Sequence, residues 1–137
     1  MWHNNAPAPA QVVDSLYYST NVFASRAIEK INARATAAPL YIHLTWQNVH
    51  GPYSPPPDWE TLKSAEYLQN YCGPKSPSIY PHDSRCNFGG SLKAVDDGMK
   101  NVTDALKQKG RWEDLLLLVT SDNGGIGPSN NHPLRGS

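Results

Sequence analysis

No excess of charge of either sign runs through this chain: 12 Lys and Arg stand against 12 Asp and Glu in 137 residues, scattered and not striped. Without a basic stripe there is nothing to neutralise a row of phosphates, so no nucleic-acid partner is expected. Long apolar runs are missing too. Leu115–Val119 amounts to five residues, against the roughly 20 that a bilayer-spanning helix needs, so no membrane span is expected. Residues 1–10 carry neither the basic nor the apolar region of a signal peptide, and residues 1–16 read as an irregular leader. No internal repeat is visible. Cysteine is scarce: Cys72 and Cys86 flank a polar, proline-bearing segment, and two thiols are compatible with free cysteines or with one bridge. Asn101-Val102-Thr103 is an N-glycosylation sequon, which favours a secretory or lysosomal route where a bridge would persist, although such triplets also arise by chance. With 39% hydrophobic content, 137 residues are enough for one domain with a modest core, expected over 17–137.

The run Leu115-Leu116-Leu117-Leu118-Val119-Thr120 leads straight into Ser121-Asp122-Asn123-Gly124-Gly125. Consecutive apolar residues without polar alternation suit a parallel strand covered on both faces, and ligands collect at the carboxyl ends of such strands. Asp122 and Asn123 offer the oxygens that hard cations prefer, and Gly124 and Gly125 permit positive φ. Ordinary turn chemistry, with Asx turns and left-handed residues, accounts for the same letters.

Upstream, Ser19 and Thr20 are expected to cap a helix with Phe23, Ala27, Ile28 and Ile31 on its apolar face. Ala37-Ala38-Pro39 breaks it, and Leu40–Trp46 reads as a strand. Gly51-Pro52 and Pro55-Pro56-Pro57 then force a loop from His50, and the irregular surface section is expected to run to about Gly90. Leu92, Val95, Met99, Val102 and Leu106 predict a second helix, closed by Gly110 after Lys107 and Lys109. Strand, loop, helix and strand make a right-handed crossover with parallel strands, whose carboxyl ends would bring His50 near Asp122 and Asn123. The expected fold class is therefore α/β, a mostly parallel central sheet flanked by helices.

Tyr18-Ser19-Thr20-Asn21-Val22-Phe23, Pro39-Leu40, Val49-His50-Gly51-Pro52, Asn101-Val102-Thr103, Ser121–Gly125 and Asn130-Asn131-His132-Pro133-Leu134-Arg135-Gly136 together resemble the sulfatase family, nearest the arylsulfatase B group, over residues 17–137. The resemblance implies an alkaline-phosphatase-like α/β enzyme that hydrolyses sulfate esters, aryl sulfates or sulfated glycans, with a formylglycine and a bound calcium ion. It implies that Asp122 and Asn123 are calcium ligands and that His50 contacts the substrate. Such a layout makes chemical sense, because a cation withdraws charge from sulfate oxygens and a histidine can donate to the leaving oxygen.

Other family words are missing. The Cys-X-Pro-X-Arg that supplies formylglycine, the paired aspartates of the metal shell and the lysine–histidine pair do not occur. Cys72-Gly73-Pro74-Lys75-Ser76 lacks the arginine and follows the histidine loop instead of preceding it, and His132 stands where the family usually has tryptophan. Two side chains are too few for a cation that takes about six to eight ligands, so the chain alone is expected to bind calcium weakly and to be inactive, a partial catalytic domain. A phosphoester hydrolase of the same superfamily and a non-catalytic secreted remnant that binds calcium or sulfated glycan are the rival readings. His43 is expected to be a core histidine, Trp46 a core aromatic, His82 and Arg135 solvated, and Asp96 and Asp97 first-turn acids favoured by a helix dipole.

Overall fold

A computed structural model describes residues 2, 3, 5–7, 18–59, 72, 82–127, 129, 132 and 133. Its elements are β1 (Trp2–His3), β2 (Ala6–Pro7), α1 (Ser19–Ala33) and α2 (His82–Gln108). Two compact units share the chain, one of residues 1–48 and 94–113, the other of 49–93 and 114–137, so that α2 contributes its later part to the first and its start to the second.

In the first unit, β1 and β2 pair antiparallel, Trp2 with Pro7 and His3 with Ala6, so part of the expected irregular leader is a minimal hairpin. α1 buries Thr20, Ala24, Ala27 and Ile31, a stripe at helical spacing. Its cap differs from expectation. Tyr18 is the N-cap residue, in extended geometry and with no side-chain cap bond, and Ser19 and Thr20 lie inside the helix. Thr20 is buried instead, its Oγ1 without a partner. Phe23 and Ile28 are only half-buried, beside the stripe. Gly98 of α2 lies against this face and against the Trp46 ring: a Cβ there would stand 3.3 Å from Trp46 Cζ2 and 3.6 Å from Ala24 Cβ. Trp46, expected in the core, is half-buried there.

α2 ends as its glycine predicts. Gly110 has φ +69, its N–H bonds the Lys107 carbonyl (2.9 Å), and the Arg111 N–H bonds the Leu106 carbonyl (3.0 Å), a Schellman closure. The cations beyond it serve the other helix end. Lys109 Nζ donates to the Asn32 carbonyl (2.9 Å), one of the acceptors that the end of α1 leaves open, and Arg111 donates to the carbonyls of Ala35 (2.6 Å) and Ala38 (3.1 Å) in the segment that follows.

In the second unit, α2 begins ten residues before the predicted helix, at His82, in the section expected to be surface loop. Asn87, Gly89, Gly90 and Ser91 are weak helix formers, so propensity conceals this start; packing selects it. Cys86 and Phe88 are buried, Cys86 clusters with Trp59, and Gly90 faces the Trp59 ring and Pro55 so closely that a Cβ would stand 2.7 Å from Trp59 Cδ2. Ser91 Oγ donates to the Ser54 carbonyl (3.3 Å). Because the helix starts earlier, Asp96 and Asp97 are mid-helix residues, and the dipole of a first turn does not explain them. Leu92, assigned to the apolar face, is 40% exposed.

The two expected strands are not formed among the described residues: neither 40–46 nor 115–120 is assigned to a strand. Leu116 is 82% and Leu118 77% exposed, where a doubly covered strand would bury both. A strand face is buried only by neighbouring strands and the layers upon them, and a segment without a ladder keeps its apolar side chains in water. His43, expected in the core, is exposed for the same reason.

Candidate functional site

His50, Asp122 and Asn123 all belong to the second unit, and all three are exposed. The backbone turns at Asn48 and Val49, just ahead of the proline-rich loop, and this exposes the imidazole. Its Nδ1 donates to the Gly51 carbonyl at 2.6 Å, and since a carbonyl only accepts, Nδ1 carries the proton. In the neutral ring Nε2 is then an acceptor, and donation from it requires the imidazolium.

Asp122 and Asn123 occupy a bend. Asp122 Oδ1 accepts from the Asn123 N–H (2.9 Å), and Asn123 Nδ2 donates to the Gly124 carbonyl (2.8 Å), both bonds to the next residue. The glycine of this loop with positive φ is Gly127, at +70, and not the expected Gly124 or Gly125. Two oxygen-bearing side chains suit a hard cation in kind but not in number. Among the described residues no group of three or more His, Cys, Asp or Glu is placed to hold a metal. A calcium shell is therefore not built by these residues alone, and no chemical step is derived through one.

A residue that sequence reasoning did not single out stands near both loops. Tyr53, three positions after His50, places its hydroxyl 3.5 Å from where a Cβ on Gly127 would be, and its Cζ 3.9 Å from the same position on Gly51. Its ring meets Phe88 of α2 edge to face, centroids 5.7 Å apart.

Cys72 and Cys86 are joined by a disulfide, with Cα atoms 4.6 Å apart, which settles the choice that their spacing left open. Asn101 is exposed on α2 in the first unit, and Thr103 Oγ1 donates to the Lys100 carbonyl (2.9 Å). Lys100 Nζ donates to Asp104 (2.6 Å), and this bond holds the lysine above and the aspartate below their ordinary ranges. His132 sits in an exposed turn, the His82 side chain and Arg135 lie outside the described residues, and no helix among those described is long and apolar enough to cross a membrane.

Comparison with known proteins defines first a class and then a family. The arylsulfatase J of Mus musculus is 29% identical over 126 residues, covering 90% of this chain and 19% of that protein. An uncharacterized sulfatase of Escherichia coli K12, YdeN, is 38% identical over 40 residues, 29% of this chain and 7% of the relative. No solved structure gives a significant match. The family model described as Sulfatase matches residues 1–137, leader included. The chain belongs to the sulfatase family, whose fold is of the alkaline-phosphatase-like α/β class. It spans about a fifth of the length of the mouse relative.

Proposed function

We propose that residues 17–137 form part of the catalytic domain of a sulfate-ester hydrolase, acting on an aryl sulfate or a sulfated glycan. The observation that carries this reading is the Sulfatase family match over residues 1–137; the hydroxyl of Tyr53, in the loop of His50, lies 3.5 Å from where a Cβ on Gly127 would be, which is compatible with it. In the reading, Asp122 and Asn123 lend two oxygens to a calcium ion whose other ligands lie outside this chain. His50 faces the substrate and donates from Nε2 in its imidazolium form. The nucleophile, a formylglycine, also lies outside residues 1–137; when present it supplies the covalent step. Segments 40–46 and 115–120 are strands of the complete sheet, which would cover the leucines now in water.

A lysosomal or secretory location fits the exposed Asn101 sequon, an acceptor used on that route, and the disulfide, which persists there. Sequencing the gene 5′ of the first codon tests the reaction class. An in-frame Cys-X-Pro-X-Arg string is expected; a histidine-rich two-metal pattern in its place would assign phosphoester hydrolysis. Calorimetric titration of calcium into the 137-residue chain tests the site. Affinity weaker than about millimolar is expected from two ligands, and tighter binding lost in Asp122→Ala would favour an independent calcium-binding module.

A further inference from the structure

We infer that Tyr53 is the positioning residue that keeps the His50 loop and the Asp122–Gly127 loop in register, with the disulfide-anchored start of α2 as its base; the functional meaning of this inference rests on the reading just given. Three observations within the second unit converge on that side chain. Its hydroxyl stands 3.5 Å from where a Cβ on Gly127 would be, at a position where φ +70 disfavours any residue with a Cβ. Its ring is braced edge to face by Phe88, which is buried. The segment after it is fixed to the same turns of α2: the Ser54 carbonyl takes the Ser91 hydroxyl, and Pro55 and Trp59 close on Gly90.

This stretch of α2 is the part with poor intrinsic helicity, and Cys86 within it is tied to Cys72. The order of dependence is therefore disulfide, helix start, Tyr53, and then both loops. His50 and Asp122 are exposed and make the short-range bonds described above, to Gly51 and Asn123. Such local bonds shape each loop but do not relate one to the other. Tyr53 is a side chain that stands near glycines of both loops.

Nuclear magnetic resonance on the full 137-residue chain tests this with three variants. In Tyr53→Ala, amides 124–127 should exchange about tenfold faster, the order of effect expected for losing an aromatic pair at a locally opening site. The His50 imidazole resonances should shift as well, while amides 94–108 keep their protection. Tyr53→Phe retains the Phe88 contact and should move only the signals of residues 124–127, restoring His50. Leu106→Ala, a core truncation in the first unit, should destabilise without shifting His50 or residues 124–127. Unchanged loop signals in Tyr53→Ala would overturn the inference, as would the same His50 shift in Leu106→Ala. If Tyr53→Ala does not fold, Tyr53→Phe decides, since unaltered signals at 124–127 would sink it. These readouts do not involve turnover or calcium, so failure of the sulfatase reading would show separately, in the gene sequence and the calcium titration.

Discussion

Replacing Gly90 by alanine sets two opposed effects against each other. In an unencumbered helix interior the exchange stabilises by about 1 kcal/mol, because alanine loses less backbone freedom on folding. At Gly90 the added methyl would lie 2.7 Å from Trp59 Cδ2, 2.8 Å from Trp59 Cε2 and 2.8 Å from Pro55 Cβ. Real methyl carbons do not come so close, and Trp59 is 4% exposed, so its ring has little room to turn aside. Overpacking of this kind costs about 1–3 kcal/mol, and contact with a rigid indole on one side and a proline ring on the other puts Gly90 at the upper end. The net expectation is a loss of about 1–2 kcal/mol. Urea unfolding followed by tryptophan emission measures it as a lower midpoint. Gly98→Ala supplies the contrast: its nearest neighbour, Trp46 Cζ2, would be 3.3 Å away, so a shift of a few tenths of an ångström suffices and the propensity gain roughly cancels the cost. A midpoint raised in Gly90→Ala would refute the packing of α2 on Trp59.

Gly110→Ala should destabilise by about 1 kcal/mol through backbone strain alone, because φ is +69 and nothing stands within 4 Å of the added methyl; a neutral result in the same titration would remove the Schellman closure. Reduction of Cys72–Cys86, or Cys72→Ser, Cys86→Ser, should cost about 3 kcal/mol for a loop of this length, and circular dichroism should report loss of helix; amide exchange unchanged at 82–91 would count against the disulfide as anchor. The Lys100–Asp104 pair is exposed, so its effect is small and salt-sensitive. Its sign is still defined. The lowered Asp104 contributes stability that is present above the ordinary carboxylate range and lost as pH falls through its folded value; the raised Lys100 contributes stability that is lost as pH rises through its own. The gap between wild type and Asp104→Asn at neutral pH should therefore close in acid, and a gap that persists there would assign the effect to packing.

Most of what local chemistry controls was readable in the letters. Helix α1 shows its spacing in Ala27 and Ile31, and the end of α2 shows a glycine that only a left-handed residue requires. The start of α2 was not readable, since Gly89, Gly90 and Ser91 argue against a helix until Trp59 and Pro55 are set against them. Ser19 and Thr20 have the right side chains for capping but stand one and two positions too late. The acid, the amide and the histidine could be picked out by type, and Tyr53 of the histidine loop stands near Gly127. Tyr53 carried no local signature, because a ring in a proline-rich loop has meaning only through what it packs against.

Sequence by itself determined the family, the helical stripe of α1, the glycine stop of α2 and the residue types of the candidate site, because each depends on neighbours within a few positions or on an ordered set of words. Tertiary structure alone decided that the cysteines are joined, that α2 begins at His82, and that the apolar segments 40–46 and 115–120 stand without a ladder. The physical reason is the range of the interactions: propensity and capping act within a turn, whereas burial, bridge formation and strand pairing require partners that chain folding must first bring close.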